Sequence, residues 1–173
     1  RDIWTFSCWF KKANVGEDGD SQLFSCGNNG DDLTTIRLRG AGDDEQIKCE
    51  NYTAAGSTTL WAITTPGSYR DPSAWYNLVL AVDTTQAAIA NGLKLWINGV
   101  AISYTGTAWT QNADTYMNSD GHENVIGARQ NNNDQEFDGY MADVNFIDGT
   151  QKAASDFGET NSNGVWIPKK YSG

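Results

Sequence analysis

The sequence predicts an all-β fold, an antiparallel sandwich or barrel, and three observations carry that prediction. Apolar residues recur with a period of two along short runs over most of the chain. Clusters of Gly, Asn and Asp separate those runs every several residues. No stretch repeats apolar residues at helical spacing.

The clearest element is 75–104, WYNLVLAVDTTQAAIANGLKLWINGVAISY. Its first run is apolar on both faces, at Trp75, Tyr76 and Leu78 to Val82, which predicts a strand at the centre of a covered sheet. GLKLWIN then alternates, with Leu93, Leu95 and Ile97 on one face and Lys94, Trp96 and Asn98 on the other. Asn98-Gly99 supplies the two positive-φ residues of a type I′ turn, and VAISY returns as the second arm of a hairpin.

The remaining elements follow in order. Strand 3–12, IWTFSCWFKK, puts Trp4, Phe6, Cys8 and Phe10 on one face and Thr5, Ser7 and Trp9 on the other. QLFSC (22–26) is a second strand, LTTIRLR (33–39) and EQIKCENY (45–52) form a hairpin about 40–44, and STTLWAIT (57–64) comes next. Segment 105–122 is long, polar and rich in Gly, Asn and Asp. NVIGAR (124–129) is a short strand, and FDGYMADVNFID (137–148) a long one with Tyr140, Ala142, Val144 and Phe146 facing one way. The tail, 149–173, has turn chemistry and no clear period.

At 173 residues the chain has room for one domain with a substantial core, so 1–173 is expected to be a single β-domain. The chain opens almost directly on a strand and ends on VWIPKKYSG with no closing strand, and both ends read as cuts through a longer polypeptide. The net charge of −10 argues against a nucleic-acid or anionic-membrane partner, because phosphate binding needs an excess of Lys and Arg. No apolar run is long enough to insert in a membrane as a helix. Three cysteines, Cys8, Cys26 and Cys49, cannot all pair, and each sits among apolar residues, so they read as reduced thiols from a reducing compartment.

If successive strands run antiparallel, the loops alternate between two ends. Asp18, Asp20, Asp43, Asp44 and Asp134 then share one rim, with Asn131 to Asn133 beside them, and form a candidate Ca2+ site. Solvated turns are the competing account, since Asp and Asn populate turns for backbone reasons; nothing in the sequence requires a cofactor. At the other end, Trp109, Asn112 and Tyr116 combine aromatic rings with an amide, as carbohydrate recognition needs, although Trp109 can instead fold back as a lid on the core. Trp166 is a second carbohydrate candidate. Trp4, Trp9, Trp61, Trp75 and Trp96 read as core or subunit contacts, and of these Trp9 and Trp96, on the less apolar faces, as the contacts in a homo-oligomer.

WTFSCWFKK, WYNLVLAVD, LKLWINGV, VIGAR and FDGYMADVNFIDG together resemble the concanavalin A-like lectin/glucanase superfamily, in its laminin-G-like or pentraxin-like form. RDPSAWYNLVLAVDTTQA, FDGYMADVNFIDG and SDFGETNSNGVWIPKKYSG resemble lectin-like domains in tail-fibre and other structural proteins of marine bacteriophages. The resemblance implies a two-sheet antiparallel jelly-roll sandwich and a virion protein assembled in a bacterial host's cytoplasm. Its implied partners are a host cell-surface glycan and other virion proteins, with pure capsid or fibre decoration as the alternative role. The hydrolase branch places carboxylates as Glu-x-Asp-x-x-Glu on one strand. Here Glu136-Phe137-Asp138-Gly139-Tyr140-Met141 has Met141 at the last position, and the only histidine, His122, lies in a turn with no Gly-x-Ser-x-Gly elbow. A non-enzymatic domain is therefore expected.

Overall fold

A computed structural model describes residues 1–16, 19–28, 32–53, 58–130 and 135–173; Asp18, Asp134 and Asn131 to Asn133 lie outside the described residues. The strands are β1 (Ile3–Lys12), β2 (Ser21–Asn28), β3 (Asp32–Leu38), β4 (Gln46–Thr53), β5 (Thr58–Ser68), β6 (Tyr76–Asp83), β7 (Leu93–Ile97), β8 (Val100–Ala101), β9 (Thr105–Trp109), β10 (Glu123–Ile126), β11 (Gly139–Asp148), β12 (Gly158–Thr160) and β13 (Trp166–Pro168). A single helical turn, α1 (Ile89–Gly92), leads into β7. A five-stranded sheet in the order β11-β1-β6-β7-β8 faces a six-stranded sheet in the order β10-β2-β3-β4-β5-β9, and β12 pairs with β13. Every pairing is antiparallel, so the loops alternate between two ends as the sequence predicts.

The core lies between the sheets. Trp4, Phe6, Cys8 and Phe10 of β1 meet Phe24, Ile36, Ile47, Trp61 and Ile63 from the six-stranded sheet, with Leu78, Leu80 and Leu95 beside them. β6 sits between β1 and β7, and Leu78 to Val82 are buried on both faces. Asn98 (φ 49) and Gly99 (φ 78) make the left-handed pair that the hairpin requires. Of the two readings for Trp75, core or subunit contact, the core one does not hold: Trp75 precedes β6 and is 41% exposed. Tyr76 takes the inward position, 5.4 Å from Phe10, and alternation turns Trp75 outward.

β11 also departs from simple alternation. Ser7 pairs with Asn145 and Trp9 with Ala142, so β11 carries one residue more than β1 between these pairs, with Asp143 at φ 48. This β-bulge shifts the facing by one. Met141, Val144 and Phe146 pack on the core, while Tyr140 and Ala142 are exposed, which corrects the expectation of a single Tyr140–Ala142–Val144–Phe146 face.

The tail is structured. It crosses the outer face of the five-stranded sheet, where Ala154 and Phe157 bury against Val79, joined by Trp96, Ile147, Trp166 and Tyr171. Thr5 anchors it twice, donating to Thr150 O at 2.8 Å and accepting the Lys152 N–H at 2.8 Å. Trp166 Nε1 donates to Asn77 Oδ1 at 3.0 Å, and its ring rests on Gly99, where any Cβ would come within 2.6 Å. Of the two expected interface residues, Trp9 is buried, and Trp96 is half-buried and packs against residues of its own chain.

All three cysteines are free thiols and buried. Burial raises Cys26 to about 11 and pushes Cys8 and Cys49 higher still. Because the thiolate is the reactive form, a chromogenic thiol reagent at neutral pH should label them only as fast as the protein unfolds. Rapid labelling of any one would contradict this packing.

Candidate functional site

The two ends of the sandwich differ in chemistry. At the end that carries 39–45, Asp20 lies 2.7 Å from Arg37 Nε and accepts the Gly40 N–H at 3.1 Å. Asp43 pairs with Arg39 at 2.7 Å, and Asp44 is exposed in a left-handed turn (φ 57). The described members of the expected rim thus share one end, but two of the three already face arginines. Among the described residues, no three His, Cys, Asp or Glu side chains come together as a metal donor set.

The outer face of the six-stranded sheet is similarly self-satisfied. Arg37 also pairs with Glu50, and Lys48 Nζ lies 2.7 Å from the other Glu50 oxygen. Burial works to raise the Glu50 carboxyl, yet Arg37 and Lys48 outweigh it and hold it below the ordinary carboxylate value. Its contribution to stability is present above that value and fades as pH falls through the lowered one.

At the opposite end, 110–122 folds over the core and borders an open cavity of about 370 Å³ lined by Arg1, Asp114, Thr115, Tyr116, Ser119, Asp120 and His122. Fully buried Met117 plugs the segment into the core. Thr115 Oγ1 accepts from Trp4 Nε1 at 2.8 Å and donates to Arg1 O at 2.7 Å. The Tyr116 N–H donates to Thr34 Oγ1 at 2.9 Å, and Asn51 Nδ2 donates to Asp114 O at 3.0 Å. These bonds use buried strand residues to fix a loop, so the cavity is formed before anything enters it.

Inside it, the Tyr116 and His122 rings lie 5.0 Å apart at 39°. Burial raises the Tyr116 phenol, opposed by Thr53 and reinforced by Asp32, so the hydroxyl remains protonated at neutral pH. His122 Nδ1 lies 3.0 Å from Asp120 O and 3.2 Å from Ser119 Oγ, while Ser119 Oγ donates to Tyr116 O at 2.7 Å. A ring nitrogen facing a carbonyl carries its proton, and Ser119 has already committed its own. The pair therefore caps a turn and is not a nucleophile with its base. The lining thus combines the Arg1 guanidinium, which also pairs with Asp148 at 3.2 Å, with the Asp114 and Asp120 carboxylates and an aromatic pair, a set suited to a polyhydroxylated ligand.

Of the three sequence candidates, only Tyr116 lines this cavity. Asn112 is exposed nearby, left-handed (φ 58), with its N–H donating to Thr84 O at 2.7 Å. Trp109 is the lid: it ends β9 opposite Trp61, packs on the core and donates Nε1–H to Gln86 O at 2.9 Å. Its ring fills the space of the missing Gly92 side chain, where a Cβ would stand 2.4 Å from both Trp109 and Asp83 O. Gly92→Ala is expected to cost about 1–3 kcal/mol and to shift the Trp109 fluorescence toward that of a solvated indole; an unchanged melting temperature would show that the ring is not packed there. Trp166, the second candidate, is held on the opposite sheet face by Asn77. Sequence reasoning missed Arg1, Asp114, Ser119, Asp120 and His122. Their signal was the density of polar side chains around one apolar anchor, Met117.

With this geometry in hand, comparison with known proteins places the fold. Residues 1–155 match the family model of the concanavalin A-like lectin/glucanases superfamily. The chain belongs to that superfamily. Among solved structures, this concanavalin A-like chain is similar to the Ruminococcus gnavus IT-sialidase CBM40 bound to α2,6-sialyllactose, at TM-score 0.64 and 17% identity over 89% of this chain and 80% of that one. It is also similar to the heptameric SAP-like pentraxin of Limulus polyphemus, at TM-score 0.53 and 14% identity over 84% and 63% of the two chains. Identities this low show a shared fold. A search of curated protein sequences finds no match.

The hydrolase pattern of the superfamily also takes its place here. Glu136 and Asp138 precede β11 in an exposed loop, and Met141 packs inward on the core. Paired carboxylates on alternate positions of one strand, as glycoside hydrolysis requires, are thus absent from this strand.

Proposed function

We propose that this chain is a non-catalytic carbohydrate-binding module and that the loop-end cavity around Tyr116 and His122 receives the sugar. The observation that carries this reading is the preformed cavity, in which an aromatic pair stands beside hydroxyl, carboxylate and guanidinium groups on a fixed loop. Support comes from the CBM40 relative, whose structure holds sialyllactose in a sandwich of the same fold. The resemblance of 70–87, 137–149 and 155–173 to phage lectin-like domains extends the proposal to an adhesion module of a bacteriophage virion that recognises host surface glycans. In this account calcium is not required, because Asp20 and Asp43 already face arginines.

A glycan array with and without chelator tests the proposal, with binding expected in both conditions. Retention of no glycan would favour the alternative, a capsid or fibre decoration domain that contacts only virion proteins. Tyr116→Ala should weaken binding by about 1–2 kcal/mol, roughly tenfold in Kd, while Trp109→Ala should leave glycan specificity unchanged.

A further inference from the structure

We propose a second ligand site, for an acidic saccharide, in the groove where the C-terminal segment meets the bulge of β11. The proposal rests on the carbohydrate-binding reading above but concerns a different face of the molecule. The groove has a volume of about 480 Å³ and is lined by Asp143, Asn145, Lys169, Lys170 and Tyr171. Two of its walls have separate origins. One is the bulged strand of the sandwich, and the other is the tail beyond residue 155, where the superfamily match ends.

Two observations point to a ligand. First, Asp143 is held at φ 48, a conformation that costs a non-glycine residue energy, and the bulge turns Asp143 and Asn145 toward the groove. Second, the charge is local and positive on a protein of net charge −10. Lys170 is exposed and has no ion-pair partner among the described residues, Lys152 lies 5.7 Å over the Tyr171 ring, and Lys169 reaches Ser155 O at 2.9 Å.

These parts divide the work of recognising a charged sugar. Lys170 attracts a carboxylate. Tyr171, held by stacking on Phe157 at 5.2 Å with Lys152 over its ring, offers its edge to the pyranose. Asp143 and Asn145 accept and donate to its hydroxyls. A neutral sugar would use only the second and third of these.

The test titrates the intact chain with trigalacturonate, 3′-sialyllactose, and their neutral counterparts, trigalacturonate methyl ester and lactose, followed by amide chemical shifts. At least one acidic sugar is expected to shift Asn145, Lys170 and Tyr171, with its neutral counterpart bound about fivefold or more weakly. Lys170→Gln should weaken that acidic sugar about fivefold. Asp143→Gly, which keeps the left-handed bulge and removes the carboxylate, should weaken it about tenfold. Shifts confined to Tyr116, Ser119 and His122, unaffected by Lys170→Gln, would overturn this site and leave the proposed function standing. Failure of both acidic sugars to bind anywhere would overturn this site, and failure of the glycan array as well would overturn both.

Discussion

Replacing Glu45 by Gln, with Lys12 left in place, should cost about 3–5 kcal/mol in stability, among the largest effects expected for one substitution in this chain. Lys12 Nζ and Glu45 Oε1 are 2.6 Å apart, with side chains 3% and 2% exposed. Two successive left-handed residues, Asp44 (φ 57) and Glu45 (φ 51), turn the Glu45 carboxylate inward, and it also receives the Gly16 N–H at 3.3 Å. Removing one charge strands the other where water cannot reach it. Removing both does not, so Lys12→Met with Glu45→Met should recover most of the loss. The check is the midpoint of urea unfolding for the two variants. A single variant within about 1 kcal/mol of the parent would mean that the pair is solvated.

Phe157→Ala should cost about 3–5 kcal/mol, because the tail depends on one ring. Phe157 is 3% exposed, packs with Val79 and Ala154, and supports Tyr171 by stacking at 23°. Deleting 156–173 goes further, since it strips Phe157 and Trp166 from the outer face and bares Val79 and Trp96. A newly exposed apolar patch on a sheet face promotes association, so the truncated chain should elute earlier or over a broader range on size exclusion than the parent. An unchanged profile and melting temperature would mean that the tail contributes no packing.

The parts of this fold legible in the sequence are those decided by neighbours in the chain. Asn98-Gly99 specifies its turn through its own φ preferences, and the double-faced apolarity of Leu78 to Val82 reports a strand covered on both sides. The bulge at Asp143 was not legible, because it is set by pairing with Ser7 and Trp9 across more than a hundred positions. The tail escaped for a related reason. Its order comes from Trp166 settling on Gly99 and Asn77, and such a fit leaves no periodicity. At the candidate site, the long polar segment 105–122 was visible, but the choice between its two aromatic residues was not. Gly92, an absent side chain in another element, draws Trp109 inward and leaves Tyr116 to line the cavity.

Sugar binding in the loop-end cavity is tested by a chemical-shift map of the chain titrated with whichever glycan the array retains. Shifts centred on Tyr116, Ser119 and His122, lost in Tyr116→Ala while its melting temperature is preserved, are the predicted result. Binding that leaves those three residues unmoved and persists in Tyr116→Ala would contradict it.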